Sequence, residues 1–253
     1  MTDQPIAIPA ATLVIFRERD GRRPELLMLE RSTAMRFAAG ATVFPGGRID
    51  AADHLFAQNI GCTDAEEGAA RIAALRETLE ETGVPIGLSP VPDLLTTALL
   101  RQRMLAGTPY EQVLDDAGLS IDLTGLTPLA RWRPNLPSGR VFDTRFYLAV
   151  HPDGAPEGRV DGTENTRLFW ANAADVLAQA DAGAARLLFP TRRNLERLAL
   201  FADHAAAVRD AGRHPVRTIK PFVRKMGGED MLCIPEGIGY PITTEPLRSV
   251  VRG

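Results

Sequence analysis

Apolar residues return with a helical period between residues 63 and 84, TDAEEGAARIAALRETLEETGV. At about 100° per residue, Ile72, Leu75 and Leu79 fall on one stripe. Glu77, Glu80 and Glu81 fall within an arc of about 100° on roughly the opposite side. Start and stop signals frame the pattern. Thr63 three residues before Glu66 makes a capping box, and Asp64, Glu66 and Glu67 suit the positive end of the helix dipole. Gly83 stands where a left-handed C-cap is wanted, and Pro85 blocks continuation. Three carboxylates this close repel one another unless a cation sits among them. A divalent metal is the cation expected.

Around this helix the pattern predicts a mixture of strands and helices. Residues 11–17 and 25–31 are apolar, β-leaning runs about a turn at Asp20-Gly21, which predicts a hairpin. Residues 32–47 end in a tight Pro-Gly-Gly turn, and 48–62 read as an irregular polar insertion. Residues 85–92 are rich in Pro and Gly and read as loop; 93–105 and 109–117 read as two short helices closed by Gly107 and Gly118. Strands are predicted at 129–133, 142–150 and 167–170, with the turn-rich segment 151–165 before the last. Asn172 can cap a helix that Gly183 ends. A long helix is predicted over 191–211, with Leu195, Leu198, Ala202 and Ala205 on one face. The tail predicts a second hairpin, 216–225 with 229–234, about Gly227-Gly228. Without strict strand–helix alternation, a mixed sheet between helices is expected rather than a βαβ repeat.

Composition narrows the function classes. A net charge of −3 gives no global basic footprint for nucleic acid, and no apolar run approaches a membrane span. The first residues lack a signal-peptide pattern, and Cys62 and Cys233 make neither a metal spacing nor a disulfide framework. A cytoplasmic protein with reduced thiols is expected. The four histidines, His54, His151, His204 and His214, show no ligand spacing.

The motif itself resembles the signature box of the Nudix hydrolases: Gly, five positions, Glu, seven positions, then Arg-Glu-apolar-x-Glu-Glu-x-Gly-apolar. Its second half stands here as Arg76, Glu77, Thr78, Leu79, Glu80, Glu81, Thr82, Gly83 and Val84, with Thr78 at an ordinarily apolar place. The first half is Gly47, five residues, then Asp53 in place of Glu. Residues 54–75 form an insertion of 22 positions where the short box has seven. The resemblance implies one Nudix domain over 1–253, an α/β/α sandwich with a mixed β-sheet, with its box at 47–84 and a helical insertion at about 90–120.

Upstream, Leu26-Leu27, Ser32, Arg36, Gly40 and Phe44-Pro45-Gly46-Gly47 keep the spacing found in coenzyme A diphosphatases, with Met28 and Glu30 in place of two threonines. Trp132 and the run from Arg140 through Asp143 and Arg145 to Tyr147 are similar to the long Nudix branch that includes a peroxisomal member. The chemistry has a physical reason. A diphosphate is densely anionic, so magnesium or manganese on hard carboxylate oxygens would neutralise it and acidify a bound water. Glu77, Glu80 and Glu81 can supply ligands, and the resemblance implies a backbone carbonyl at Gly46–Gly47 as another. Arg76 can orient a carboxylate. Glu77 and Glu164 are both candidates for the general base, and Asp53 has no assigned role.

Arg31, Arg36, Arg140 and Arg145 are candidate phosphate partners. Phe44, Trp132, Phe142 and Tyr147 read as core. The implied activity is metal-dependent hydrolysis of a nucleoside diphosphate-linked small molecule. The preferred substrate is coenzyme A or an acyl-CoA, giving 3′,5′-ADP and (acyl-)phosphopantetheine. An ADP-ribose or NADH pyrophosphatase is the alternative enzyme, and a non-catalytic nucleotide-metabolite sensor the alternative of another class. No nucleic-acid or membrane partner is expected, and a homodimer stays open.

Overall fold

A computed structural model describes residues 7–19, 21–35, 38–134, 141–160 and 162–252. In chain order the strands β1 (Ile8–Arg17), β2 (Glu25–Arg31), β3 (Ala41–Val43) and β4 (Gly46–Arg48) precede helices α1 (Ala51–Asn59) and α2 (Ala65–Thr82). Strand β5 (Leu88–Ser89), helices α3 (Leu94–Leu105) and α4 (Tyr110–Asp116), and strand β6 (Ser120–Ile121) follow. Then come β7 (Thr127–Trp132), β8 (Phe142–Val150), β9 (Asn165–Ala171), α5 (Ala173–Asp181), β10 (Arg186–Leu187), α6 (Phe189–Leu198) and α7 (His204–Arg213). The chain closes with β11 (Thr218–Ile219), β12 (Phe222–Met226), β13 (Glu229–Cys233), β14 (Thr244–Pro246) and α8 (Leu247–Arg252).

Nine strands among the described residues form one mixed sheet in the order β10-β3-β2-β1-β8-β7-β11, with β4 also on β1 and β9 also on β2. Strand β1 is its centre, antiparallel to β2 and parallel to β8 over nine residue pairs. Because side chains alternate along a strand, Leu13 and Ile15 enter the core under α2, while Val14 and Phe16 enter the core under α5, α6 and α7. Helices on both faces of a mixed sheet make the expected α/β/α sandwich. The hairpin β1–β2 is as predicted, though Asp20 of its turn lies outside the described residues. The tail hairpin β12–β13 forms about Gly227-Gly228, but its first arm is shorter than 216–225 because Thr218–Ile219 pair with β7 instead.

Four local expectations need correction. Residues 48–62 are not irregular: α1 forms there, because Asp50 and Asp53 make a reciprocal capping box. Helix α2 starts one residue later than Thr63 predicted. The Asp64 carboxylate accepts from the Glu67 N–H at 3.0 Å, and a charged acceptor suits the dipole better than a hydroxyl. Segment 85–92 contains the short strand β5, paired with β6. The long helix over 191–211 is broken into α6 and α7, because Asp203 accepts from the Ala206 N–H at 2.6 Å and restarts the helix. The break resets the face: Leu195 and Leu198 stay buried, but Ala207 and Ala211 replace Ala202 and Ala205.

Candidate active site

Helix α2 lies on the sheet because its apolar stripe is continuous with the core. Ile72, Leu75 and Leu79 are all buried against the β1 side chains of that face. Gly83 takes the left-handed conformation (φ 67°), and its N–H donates to the Leu79 carbonyl at 2.9 Å, ending the helix where predicted. The acidic side was expected opposite the stripe. It is instead tucked against strand β4: Glu81 is buried and Glu77 and Glu80 are half-buried.

The Gly46-Gly47 turn makes this burial possible. A Cβ on Gly46 would stand 2.4 Å from the Ala11 carbonyl oxygen, and one on Gly47 would stand 2.3 Å from the Glu77 carboxyl carbon. Only glycine lets the β4 backbone reach both β1 and the carboxylate. The Gly46 N–H donates to Glu81 Oε2 at 2.9 Å, and Asn165 Nδ2 donates to Glu81 Oε1 at 3.1 Å. Arg31 Nη1 stands 4.0 Å from the same Oε1, while Arg31 Nε is buried with no partner among the described residues.

Arg76 is the hub. Its Nε and Nη2 donate to the two oxygens of Asp53 at 2.9 and 3.0 Å, a bidentate fork. Its Nη1 donates to Glu77 at 3.0 Å and to Glu80 at 3.1 Å, and Nη2 also reaches the Arg48 carbonyl at 2.9 Å. Asp53, 1% exposed, serves twice: one oxygen also accepts from the Asp50 N–H at 2.8 Å to cap α1. The 54–75 insertion is folded as the rest of α1 and the first three turns of α2, returning the chain so that Asp53 meets Arg76.

The electrostatics are those of too much negative charge in one place. Burial pushes the Glu77 carboxyl up to about 8; Arg76 opposes this, and Glu81 and Glu80 add to it. Burial pushes Glu81 up to about 7 against the Gly46 N–H, Asn165 and Arg31, with the nearby Glu164 pushing further. Burial also raises Glu80, opposed by Arg76. Desolvation opposes the Arg76 charge, but the hydrogen bond to Asp53 and the fields of Glu77, Asp53 and Glu80 outweigh it and hold the guanidinium protonated.

The other expected residues divide. Glu164 is exposed beside this cluster, and its carbonyl accepts from the Ser32 N–H at 2.8 Å. Arg145 is not brought to the carboxylates: it pairs at 3.7 Å with Glu67, about four helical turns or 21 Å along α2 from Glu81. Arg36 and Arg140 lie outside the described residues. Phe44, Trp132 and Tyr147 are buried as core and Phe142 is half-buried. Three contributors were missed. Asn165 begins a strand, Arg101 comes from α3, and the buried Tyr110 hydroxyl of α4, without a partner among the described residues, lies in the field of Arg76, Glu80 and Asp53. No local pattern marks any of the three.

The NUDIX domain family model matches residues 7–103, the span that carries β1 through the first half of the helical insertion and includes the whole box. Residues 7–103 carry a NUDIX domain. A relative from Gallus gallus named acyl-coenzyme A diphosphatase NUDT19 is 26% identical over 258 aligned positions, 77% of this chain and 68% of that protein. A crystal structure of a NUDIX hydrolase from Alicyclobacillus acidocaldarius superposes with a TM-score of 0.70 at 28% identity, covering 81% of this chain and 96% of that one.

Nudix chemistry uses divalent metal, and the donors here fit one chemically. Among the described residues, four carboxylates, Asp53, Glu77, Glu80 and Glu81, pair with two guanidiniums, those of Arg76 and Arg31, a surplus of two acidic groups. Their oxygens are hard donors of the kind magnesium and manganese take. Among the described residues no three such side chains are gathered as a ready-made metal shell, since Arg76 holds Glu77 and Glu80 while Gly46 and Asn165 hold Glu81. No helix among the described residues is long and apolar enough to cross a membrane.

Proposed function

We propose that this chain hydrolyses the diphosphate of a nucleoside diphosphate-linked small molecule, with coenzyme A or an acyl-CoA as the preferred substrate. The observation that carries the reading is the partly buried Glu77–Glu80–Glu81 face of α2, with its surplus of acidic groups, closed by a glycine turn that only a backbone can fill. The name of the Gallus gallus relative and the Ser32-to-Gly47 spacing support the substrate. Glu77, Glu80, Glu81 and a backbone carbonyl at Gly46–Gly47 would hold Mg²⁺ or Mn²⁺. When bound, the metal neutralises the diphosphate and makes water a better nucleophile.

The chain's own groups would do the rest. Arg76 aims Glu77 and Glu80 and favours their ionised forms against burial, and Asp53 holds Arg76 in place. Arg31, with its unpartnered Nε, would meet a phosphoryl oxygen with a charge-assisted hydrogen bond. Glu164, exposed next to Glu81, would take the proton of the attacking water, with Glu77 as the other carboxylate in reach of the cluster. Water oxygen bonds to one phosphorus, the bridging P–O bond breaks, and two phosphate monoesters leave. Free Cys62 and Cys233 fit a reducing, cytoplasmic compartment.

The test is a substrate panel with magnesium or manganese, read by product mass: coenzyme A, acyl-CoA, dephospho-CoA, ADP-ribose, NADH and diadenosine polyphosphates. The expected result is 3′,5′-ADP plus (acyl-)phosphopantetheine at the highest kcat/KM. Equal turnover of dephospho-CoA would remove the 3′-phosphate from recognition, and preference for ADP-ribose or NADH would move the protein to the alternative substrate class.

A further inference from the structure

Helix α3 lies outside the Nudix box, yet its Arg101 grips the helix that carries the box acids. Arg101 Nε donates to the Glu80 carbonyl at 2.7 Å and Nη2 to the Glu81 carbonyl at 2.8 Å. The last four carbonyls of any helix lack partners within it. Here all four are taken: Leu79 by the Gly83 N–H, Glu80 and Glu81 by Arg101, and Thr82 by the Arg159 N–H at 2.6 Å. A guanidinium there also meets the negative end of the α2 dipole.

The third bond gives this clamp a consequence. Arg101 Nη1 donates to the Arg159 carbonyl at 2.6 Å. Arg159 belongs to the segment that runs on into Glu164 and Asn165, and Asn165 itself holds Glu81. That segment is pressed onto the end of α2: a Cβ on Gly158 (φ 95°) would stand 2.8 Å from Val84 Cγ2 and 3.1 Å from the Thr82 carbonyl oxygen. One side chain therefore spans the two pieces of backbone that bracket the proposed chemistry.

We infer that Arg101 is a positioning residue, setting the register between the α2 carboxylates and the segment that presents Glu164 and Asn165. It touches no reacting atom. The inference rests on the diphosphatase reading for its effect on turnover, but its effect on metal binding stands apart from the substrate. The planar fork is required, because three carbonyls in fixed directions are met by three N–H groups of one rigid plane. A lysine ammonium at the same place is a point charge on a flexible stem.

Three variants, Arg101→Met, Arg101→Lys and Arg101→Ala, test it. The measurements are the Mn²⁺ binding midpoint by water-proton relaxation, kcat and KM on the best substrate, and the thermal midpoint. The expected result is an Mn²⁺ midpoint weakened by about tenfold or more, as for other residues that orient ligands, and a kcat reduced by about 10–100-fold with KM little changed. Lysine should not restore either, whereas free guanidinium should partly restore Arg101→Ala. A merely structural role would lower the thermal midpoint and leave kcat and the Mn²⁺ midpoint of the folded fraction at wild-type values, which overturns the inference. Full recovery in Arg101→Lys overturns it too. If the wild type turned over nothing in the substrate panel, the diphosphatase reading would fail, while the Mn²⁺ midpoints would still decide the positioning.

Discussion

Each face of the sheet buries a cluster of charge, and the two are balanced differently. Under α6 and α7, Arg193 meets Glu196 at 2.7 Å and Glu245 at 3.0 Å, Arg197 meets Asp210 at 2.7 Å, and Arg192 stands 3.8 Å from Glu196. Leaving aside the exposed Asp181 on Arg192, three carboxylates answer three guanidiniums. Along α2, four carboxylates answer two. Burying charge is costly unless it is paired. A balanced cluster is explained by the fold that contains it, whereas a surplus of two is relieved by protons on the raised Glu77 and Glu81 carboxyls or by a cation that the chain does not supply. Both clusters hold carboxylates pushed up by burial, Glu196 to about 7 like Glu81, so a raised pKa alone does not tell them apart. The charge count does.

The sharpest way to break this contrast is to remove one charge from the α2 side. Glu80→Gln or Glu81→Gln keeps the shape and a hydrogen-bond acceptor while removing an anionic oxygen donor. Turnover should fall by about a thousandfold, equivalent to roughly 4 kcal/mol of barrier, with the thermal midpoint held or raised in metal-free buffer. Wild-type kcat in either variant would sink the metal assignment. The mirror experiment on the other face is Arg193→Met, which strands Glu245 and leaves Glu196 only Arg192 at 3.8 Å. Stability should drop by about 3 kcal/mol in denaturant titrations, equally with and without magnesium, while kcat per folded molecule stays unchanged. A magnesium-dependent loss would mean that the two clusters are not the different things their charge counts describe.

The contrast was half visible in the sequence. The α2 cluster advertises itself because helical period, the helix dipole and the Gly83 stop are local rules, and Arg76, Glu77, Glu80 and Glu81 lie within two turns of one helix. The balanced cluster could not be read as a cluster, since Glu196 pairs locally within α6 but Glu245 of β14 and Asp210 of α7 reach Arg193 and Arg197 only when the fold closes. The same limit hid Asn165, Arg101 and Tyr110. It also misled over Arg145, which has a motif-like neighbourhood in the sequence but pairs with Glu67 in space. Boundaries failed where a strong side-chain acceptor sat one residue from the pattern's choice, at Asp64, or inside an unbroken helical pattern, at Asp203.

The surplus should also show as a pH dependence without metal. A glutamate in the unfolded chain gives up its proton near 4.5, whereas folded Glu77 keeps its proton up to about 8 and Glu81 up to about 7. Between those limits the folded state binds more protons than the unfolded one, so stability falls as pH rises from about 4.5 to about 8. In EDTA the fall should amount to several kcal/mol by calorimetry. Magnesium binds the ionised form and should flatten it. Metal-free stability that climbed through this window would contradict the excess of buried negative charge.

The smallest effect concerns the one carboxylate in the surplus that does not lie on α2. Asp53 sits where the box has an acid, across the insertion, and it neutralises Arg76 through both oxygens. In Asp53→Asn the amide oxygen can still accept the Asp50 N–H, so the α1 cap survives, but the charge on Arg76 loses its principal partner. Arg76 then bears more strongly on Glu77 and Glu80, which it already touches through Nη1, and competes with any metal for them. The magnesium midpoint should weaken by about tenfold and the thermal midpoint should shift little. Removing a negative charge elsewhere near a cation site, at the exposed Asp50, should weaken magnesium far less, because Asp50 stands 3.7 Å from Arg76 and remains in water. If Asp50→Asn and Asp53→Asn weakened magnesium equally, general field and not the Arg76 fork would be setting the affinity, and the cluster would be unbalanced without being organised.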